Sequence, residues 1–129
     1  MKAIIFLISL MVSPQVFAEI SWQPYSEVSL RQATDSGKKV ILGFHKKGCG
    51  TCYAQDKVLE ETGVTENSNV VFLKVERKNK AHGKAYENYG LSQRQWAALV
   101  LVDKKGELFR VNPGDTSKES ISRLAKKAT

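Results

Sequence analysis

The two cysteines of this chain, Cys49 and Cys52, lie two residues apart between an apolar run and a segment with helical character. The run at 40–44 is typical of a buried strand, and residues 53–61 are typical of a helix. Cysteines at this spacing can close into a disulfide and reopen without movement of the backbone. The first sulfur usually attacks as a thiolate, and the second resolves the mixed disulfide. A strand, a CxxC pair and a helix in one βαβ unit therefore predict a redox-active dithiol.

The first 18 residues have the features of a cleaved signal peptide. Lys2 provides a positive start, residues 3–12 form an apolar core, and Val16-Phe17-Ala18 is a small-residue cleavage motif, so the predicted cut follows Ala18. An apolar run of about ten residues is shorter than the roughly 20 that a membrane-spanning helix needs. We therefore expect a periplasmic or secreted protein without a stable membrane anchor, in a compartment where disulfides persist.

Residues 19–129 are predicted to form one domain. About 111 residues are enough for a single hydrophobic core and too few for two. The formal net charge of the whole chain is +7, but the lysines are scattered, many of them in pairs, and form no long basic run. This pattern favours solubility and weak attraction of acidic partners, and no nucleic-acid partner is expected.

The predicted order of elements is α-β-α-β-α-β-β-α. Two crossover units that feed a hairpin predict an α/β fold, with a mixed four-stranded central sheet and helices on both faces. The predicted elements are a helix capped by Ser26, a strand at 39–44, a helix at 49–61, a strand at 70–75, a weaker helix at 81–89, hairpin strands at 98–102 and 107–111, and a last helix that begins with the capping box Thr116-Ser117-Lys118-Glu119.

With these features the chain resembles a thioredoxin-superfamily domain, most of all the exported single-domain members and the C-terminal domain of the periplasmic disulfide-interchange reductase. The resemblance covers most of residues 24–128, including the strand before Cys49-Gly50-Thr51-Cys52, the hairpin and Gly114 before the last helix. It implies a thioredoxin-like fold and thiol–disulfide oxidoreductase activity, with Cys49 as nucleophile and Cys52 as resolving thiol. It also implies cysteine-containing client proteins and a redox partner such as a membrane disulfide reductase, without an organic cofactor.

Three positions depart from the family pattern. Ala97 occupies the place of a cis-proline before the hairpin, Gly43 the place of a buried acid, and Thr51 the place of a proline between the cysteines. A cis bond before a residue other than proline costs about 2.5–4 kcal/mol, so we expect a trans peptide before Ala97 and a reshaped substrate groove. With Gly43 at its position, the usual proton acceptor for the resolving thiol is missing.

Several neighbours are candidates for tuning the dithiol. Cys49 is expected at a helix N-terminus, where the helix dipole together with Lys46 and Lys47 would hold its pKa below that of a free thiol. His45 could shuttle a proton near neutral pH or simply fill a position that is often aromatic. Glu76 could replace the missing acid or lie solvated at a strand end.

The sequence gives less specific predictions for the remaining positions near the dithiol. Trp96, beside Ala97, could line the substrate groove or belong to the core. Gly50 and Thr51, between the cysteines, complete the candidate site. His82 lies among lysines and is predicted to be on the surface.

Three other functions remain open. Cys49, Cys52 and His45 could bind a soft metal ion such as copper or zinc, although a closed zinc site needs a fourth ligand. The disulfide could be purely structural, or the domain could be a redox-inert binding module. The direction of exchange is open as well, since the lysines and Thr51 favour an oxidising couple and the resemblance favours a reductase.

Overall fold

The computed structural model describes residues 18–129, so the predicted signal sequence up to Phe17 lies outside the described residues. This part of the chain contains five strands and four α-helices. In chain order they are β1 (Gln23–Pro24), α1 (Glu27–Asp35), β2 (Lys39–His45), α2 (Gly50–Glu61), β3 (Val70–Glu76), α3 (Gly83–Asn88), β4 (Ala98–Asp103), β5 (Gly106–Val111) and α4 (Lys118–Ala128). Of the helices in residues 18–129, none is both long and apolar enough to cross a bilayer.

The five strands form one mixed sheet in the order β1-β3-β2-β4-β5. Strands β1 and β2 are parallel to β3, and β4 is antiparallel to both β2 and β5. The predicted mixed sheet is confirmed, but the predicted count of four strands is wrong. The additional strand, β1, is two residues long and pairs only through its backbone at the sheet edge. Its proline cannot donate a ladder hydrogen bond, and a Gln-Pro pair carries no strand pattern in the sequence.

The core has two halves, one on each face of the sheet. Successive side chains of a strand point to opposite faces, so Leu42 and Phe44 pack with Tyr86 of α3, while Ile41 packs with Leu59 of α2 and Leu124 of α4. All of these side chains are almost completely buried. The predicted helices on both faces are confirmed, and the central strand β2 carries the residues that lead into the cysteine pair.

Some helix boundaries differ from the predicted ones. Helix α2 begins at Gly50, because Cys49 adopts an extended conformation and caps the helix. The predicted helix at 81–89 is divided into a 3₁₀ turn at Lys80–His82 and the short α3. Helix α4 is capped by Ser117, whose hydroxyl accepts the Ser120 N–H, one residue later than the predicted capping box. These shifts of one or two residues leave the order of the elements unchanged.

The prediction that His82 lies on the surface is wrong. Only 4% of its surface is exposed, and its ring packs edge-on against Tyr25 with centroids 5.7 Å apart. Its Nδ1 accepts the backbone N–H of Glu76 at 3.0 Å. Burial lowers the pKa of His82, while the nearby Glu76 carboxylate opposes this shift. The buried ring is therefore neutral at pH 7 and connects the end of β3 to the turn before α3.

We expect His82 to make the stability of the protein fall at mildly acidic pH. Its folded-state pKa lies below the unfolded value of about 6.5, so its contribution is fully present above pH 6.5. This contribution is lost as the pH falls below 6.5 and the unfolded state gains a proton first. Urea unfolding at pH 7.5 and 5.5 should show a larger loss for the wild type than for His82→Gln. Equal losses in the two proteins would contradict this role.

Candidate active site

Cys49 and Cys52 form a disulfide at the N-terminus of α2, with their Cα atoms 5.3 Å apart. The chain leaves β2 at His45 and turns into the helix through Gly48, whose φ of +74° suits glycine. The Cys49 sulfur caps the helix by accepting the Cys52 N–H at 3.0 Å. Both cysteines are buried, with an exposed fraction of 7% for the Cys49 residue and 4% for the Cys52 residue.

Ala97 and Trp96 pack against the disulfide. The peptide before Ala97 is trans, as expected, and Ala97 has an unusual φ of +60°. Its N–H donates to the Phe44 carbonyl at 2.7 Å, and its carbonyl accepts from Gln55 Nε2 at 2.5 Å and from the Gly114 N–H at 3.0 Å. Three hydrogen bonds thus fix the backbone beside the disulfide in a conformation that alanine rarely adopts.

The position of the missing acid is covered by an indole ring. A Cβ atom built on Gly43 would lie 2.9 Å from Cζ3 and 3.0 Å from Cζ2 of Trp22, too close for a side chain. The ring packs edge-on against His45 with centroids 5.0 Å apart, and its Nε1 donates to Asp56 Oδ2 at 3.3 Å. Gly43 is therefore needed for Trp22 to reach this position below the active site.

Asp56 is a carboxylate that the sequence analysis did not single out. Its Oδ1 lies 3.4 Å from His45 Nε2, although the two atoms are not aligned for a hydrogen bond. The side chains are 17% and 7% exposed, respectively. Asp56 follows Cys52 by four residues on α2, which places both on one helix face. That spacing was a usable signal, whereas nothing in the sequence pointed to Trp22.

Gln55 is a second residue that the sequence analysis missed. Its side chain is completely buried, and its Nε2 donates to the carbonyls of Ala97 and Asp115. It thereby connects α2 to the two loops that follow α3 and β5. A polar residue three positions after Cys52 gave no indication of this role, because its partners lie 42 and 60 residues away.

A cavity of about 300 Å³ opens beside the disulfide. Of the residues proposed from sequence, it brings together both cysteines with His45, Lys46, Lys47 and Glu76. The sequence analysis did not name its other lining residues, which are Gly48, Tyr53, Asp56, Lys74 and Arg77. Gly50 and Thr51 are exposed at the start of α2 and do not line it, and Trp96 and Ala97 contact the disulfide outside it.

Neither a protein-family model nor a curated protein matches the sequence. Solved structures do match. Trxlp from Edwardsiella tarda is 24% identical with a TM-score of 0.64, and the comparison covers 84% of this chain and 99% of that one. A thioredoxin from Thermus thermophilus is 22% identical with a TM-score of 0.64, covering 87% and 89%. Schistosoma mansoni thioredoxin is 15% identical with a TM-score of 0.62, covering 86% and 96%. The chain has a thioredoxin fold.

Within the thioredoxin fold, some residues around the cysteine pair differ from the family pattern described above. Trp22 covers Gly43 in place of a buried acid, and the cavity wall provides Asp56 next to His45 instead. Ala97 with positive φ stands in place of a cis-proline. In residues 18–129, no three His, Cys, Asp or Glu side chains converge to hold a metal ion. The residues that the sequence suggested as soft-metal ligands, Cys49, Cys52 and His45, do not form such a group, and the two cysteines are joined by a disulfide.

Replacing Ala97 by proline should destabilise this thioredoxin fold. Proline fixes φ near −65° and has no N–H, so the conformation at +60° and the hydrogen bond to Phe44 would both be lost. We expect a cost of more than about 1 kcal/mol in the free energy of unfolding, measured in urea on the oxidised protein. Ala97→Gly keeps both features and should cost less than the proline variant. A proline variant as stable as the wild type would contradict this description of the loop.

Proposed function

We propose that the protein is a thiol–disulfide oxidoreductase that acts through Cys49 and Cys52. The observation that carries the proposal is the disulfide at the start of α2, with the Cys49 sulfur accepting the Cys52 N–H. In the reduced protein the same N–H, together with the positive end of the helix dipole, stabilises a Cys49 thiolate. Lys46 and Lys47 on the loop before the helix add positive charge. A buried structural bridge would need neither this cap nor a cavity beside it.

The proposed reaction is two-step disulfide exchange. The Cys49 thiolate attacks one sulfur of a client disulfide, which forms a mixed disulfide and releases the other client sulfur as a thiolate. Cys52 then loses its proton and attacks the Cys49 sulfur, which closes the Cys49–Cys52 bond and releases the reduced client. Two electrons pass to the client, and the reverse sequence oxidises it. Protein partners provide or accept the electrons, so no organic cofactor takes part.

His45 is the group that we propose for proton exchange during resolution. It lines the cavity together with Cys52, Trp22 packs edge-on against its ring, and Asp56 Oδ1 lies 3.4 Å from its Nε2. A histidine in this position can take up the proton that Cys52 loses before it attacks. The pair His45–Asp56 would then serve in place of the acid that Gly43 excludes. A His45→Gln variant that resolves the mixed disulfide at the wild-type rate would contradict this role.

We further propose that the protein works in the bacterial periplasm, with cysteine-containing clients and a membrane disulfide reductase as redox partner. The support for this location is the signal-peptide pattern of residues 1–18, which lies almost entirely outside the described structure. Expression of the full chain with its leader should give a periplasmic product that begins at Glu19. A cytoplasmic product that retains Met1 would contradict the location without affecting the chemistry.

Reduction of insulin by dithiothreitol tests the activity. The purified domain should accelerate this reduction, and the precipitation of the insulin B chain would report the rate. The double variant Cys49→Ser/Cys52→Ser, at equal concentration, is the control for effects of protein alone. If wild type and double variant give the same rate with insulin and with a short peptide disulfide, the proposed function fails.

A further inference from the structure

The cavity beside the disulfide is lined by more positive than negative charge. Four of its lining side chains are cations and two are carboxylates; the cations are Lys46, Lys47, Lys74 and Arg77, and the carboxylates are Asp56 and Glu76. Among residues 18–129, none of these four cations lies within 4.0 Å of a carboxylate oxygen. The Asp56 carboxylate is instead directed at His45 and Trp22. The cavity therefore keeps a positive charge that the protein does not neutralise.

Two of the cations are held over the same indole ring. Lys46 Nζ lies 4.4 Å and Arg77 Cζ 4.8 Å from the ring centroid of Trp96. Trp96 itself packs against the cluster formed by the disulfide and Ala97. A cation–π contact at an exposed site contributes about 0.5–1 kcal/mol, which favours one position for the charged group. Because the indole is uncharged, Lys46 and Arg77 remain available to an anion next to the reactive sulfurs.

From this arrangement, and given the proposed function, we infer that the protein selects clients whose reactive cysteine is flanked by aspartate or glutamate. A client chain that places its disulfide against Cys49 would bring neighbouring carboxylates to Lys47 and Lys74 in the cavity and to Lys46 and Arg77 beside Trp96. The guanidinium of Arg77 suits a carboxylate especially well, because it can donate two parallel hydrogen bonds. Opposite charges around a cleft also accelerate encounter, typically by 10-fold or more at low salt.

The test uses three short peptides, each closed by one disulfide, that differ only in carrying two Asp, two Asn or two Lys beside the first cysteine. Reduced protein is mixed with each peptide, the reaction is stopped by alkylation, and the masses give the rate. Each rate is divided by that of dithiothreitol with the same peptide, because dithiothreitol carries no charged group besides its attacking thiolate. We expect the normalised rate to be highest for the Asp peptide, intermediate for the Asn peptide and lowest for the Lys peptide. The ratio of the Asp rate to the Lys rate should be at least 10-fold at about 20 mM salt. The ratio should shrink towards one at 0.5 M salt.

Variants that each remove one positive charge show whether the cavity cations or the overall charge of the protein cause the preference for acidic peptides. Lys74→Gln and Arg77→Gln should each lower the ratio about threefold or more and leave the Asn peptide nearly unaffected. Lys105→Gln removes the same charge from the exposed turn between β4 and β5, at the end of the sheet away from His45. This control should keep the wild-type ratio.

Three outcomes would overturn the inference alone, and a fourth would overturn the proposed function with it. Equal normalised rates for the three peptides would exclude selection of acidic clients while leaving the oxidoreductase proposal intact. An equal effect of Lys105→Gln and Arg77→Gln would assign any preference to net charge. A preference for oxidised glutathione without one among the peptides would assign the cations to small anionic thiols instead. If dithiothreitol outpaces the protein with every peptide and with glutathione, the proposed function fails as well.

Discussion

Serine at position 49 is expected to abolish disulfide exchange, and serine at position 52 is expected to trap the client. Without the Cys49 sulfur no thiolate can attack from the helix N-terminus, so the rate should fall to that of the uncatalysed reaction. In Cys52→Ser the attack still occurs, but no second thiol can release the product. The expected species is a covalent complex of one protein and one client peptide. Mass spectrometry without reductant measures both results.

The control for these variants is the reduced wild type, which also lacks the bridge. Loss of a disulfide that closes so short a loop costs about 2 kcal/mol, so each variant is compared with the reduced protein in urea before its activity is measured. A Cys52→Ser protein that releases its client as fast as the wild type would contradict the resolving role of Cys52. Trapping by Cys49→Ser instead would reverse the two roles.

A side chain at position 43 is expected to destabilise the fold through Trp22. A methyl group on Gly43 would overlap the indole ring, and β2 is a fully paired central strand that cannot move away. Overpacking of this kind costs about 1–3 kcal/mol, and we expect Gly43→Ala to fall in this range and Gly43→Val to exceed it. The measurement is the free energy of unfolding in urea on the oxidised protein.

A double-mutant cycle that combines Gly43→Ala with Trp22→Ala tests whether contact with the indole ring causes the destabilisation. Removing the indole opens the space above Gly43, so Gly43→Ala should cost little in the Trp22→Ala protein. The coupling between the two changes should be about 1–3 kcal/mol. Strictly additive costs would show that Gly43 is required for another reason, such as the path of β2 itself. In that case the description of Trp22 as the occupant of the acid's position would be wrong.

Sequence patterns predicted the parts of the fold that depend on local periodicity. Neighbouring residues were enough to predict the strands β2 and β3, the hairpin around Gly106 and the helix after Cys49. The edge strand β1 was not, because it exists only through pairing with Leu73 and Lys74. A strand of two residues has no periodicity to detect.

The cysteine pair could be found from sequence because its spacing is itself the chemical signal. The surroundings depend on contacts between distant segments, which one sequence does not reveal. Trp22 reaches Asp56 across 34 residues, and His82 is buried because Tyr25 packs against its ring. Lys74 and Arg77 join the cavity because β3 lies parallel to β2 and ends beside it. The roles of the residues around the dithiol therefore remain predictions that the variants above can test.

Equilibration of the purified protein with glutathione buffers of known potential tests the central claim most directly. The oxidised fraction is read by mass after the free thiols have been alkylated. A reversible redox dithiol should show one two-electron transition at a potential between about −270 and −120 mV. The position of this midpoint would also distinguish a reductase from an oxidase. A bridge that stays closed in buffers more reducing than about −300 mV would contradict the account, because structural disulfides behave in this way.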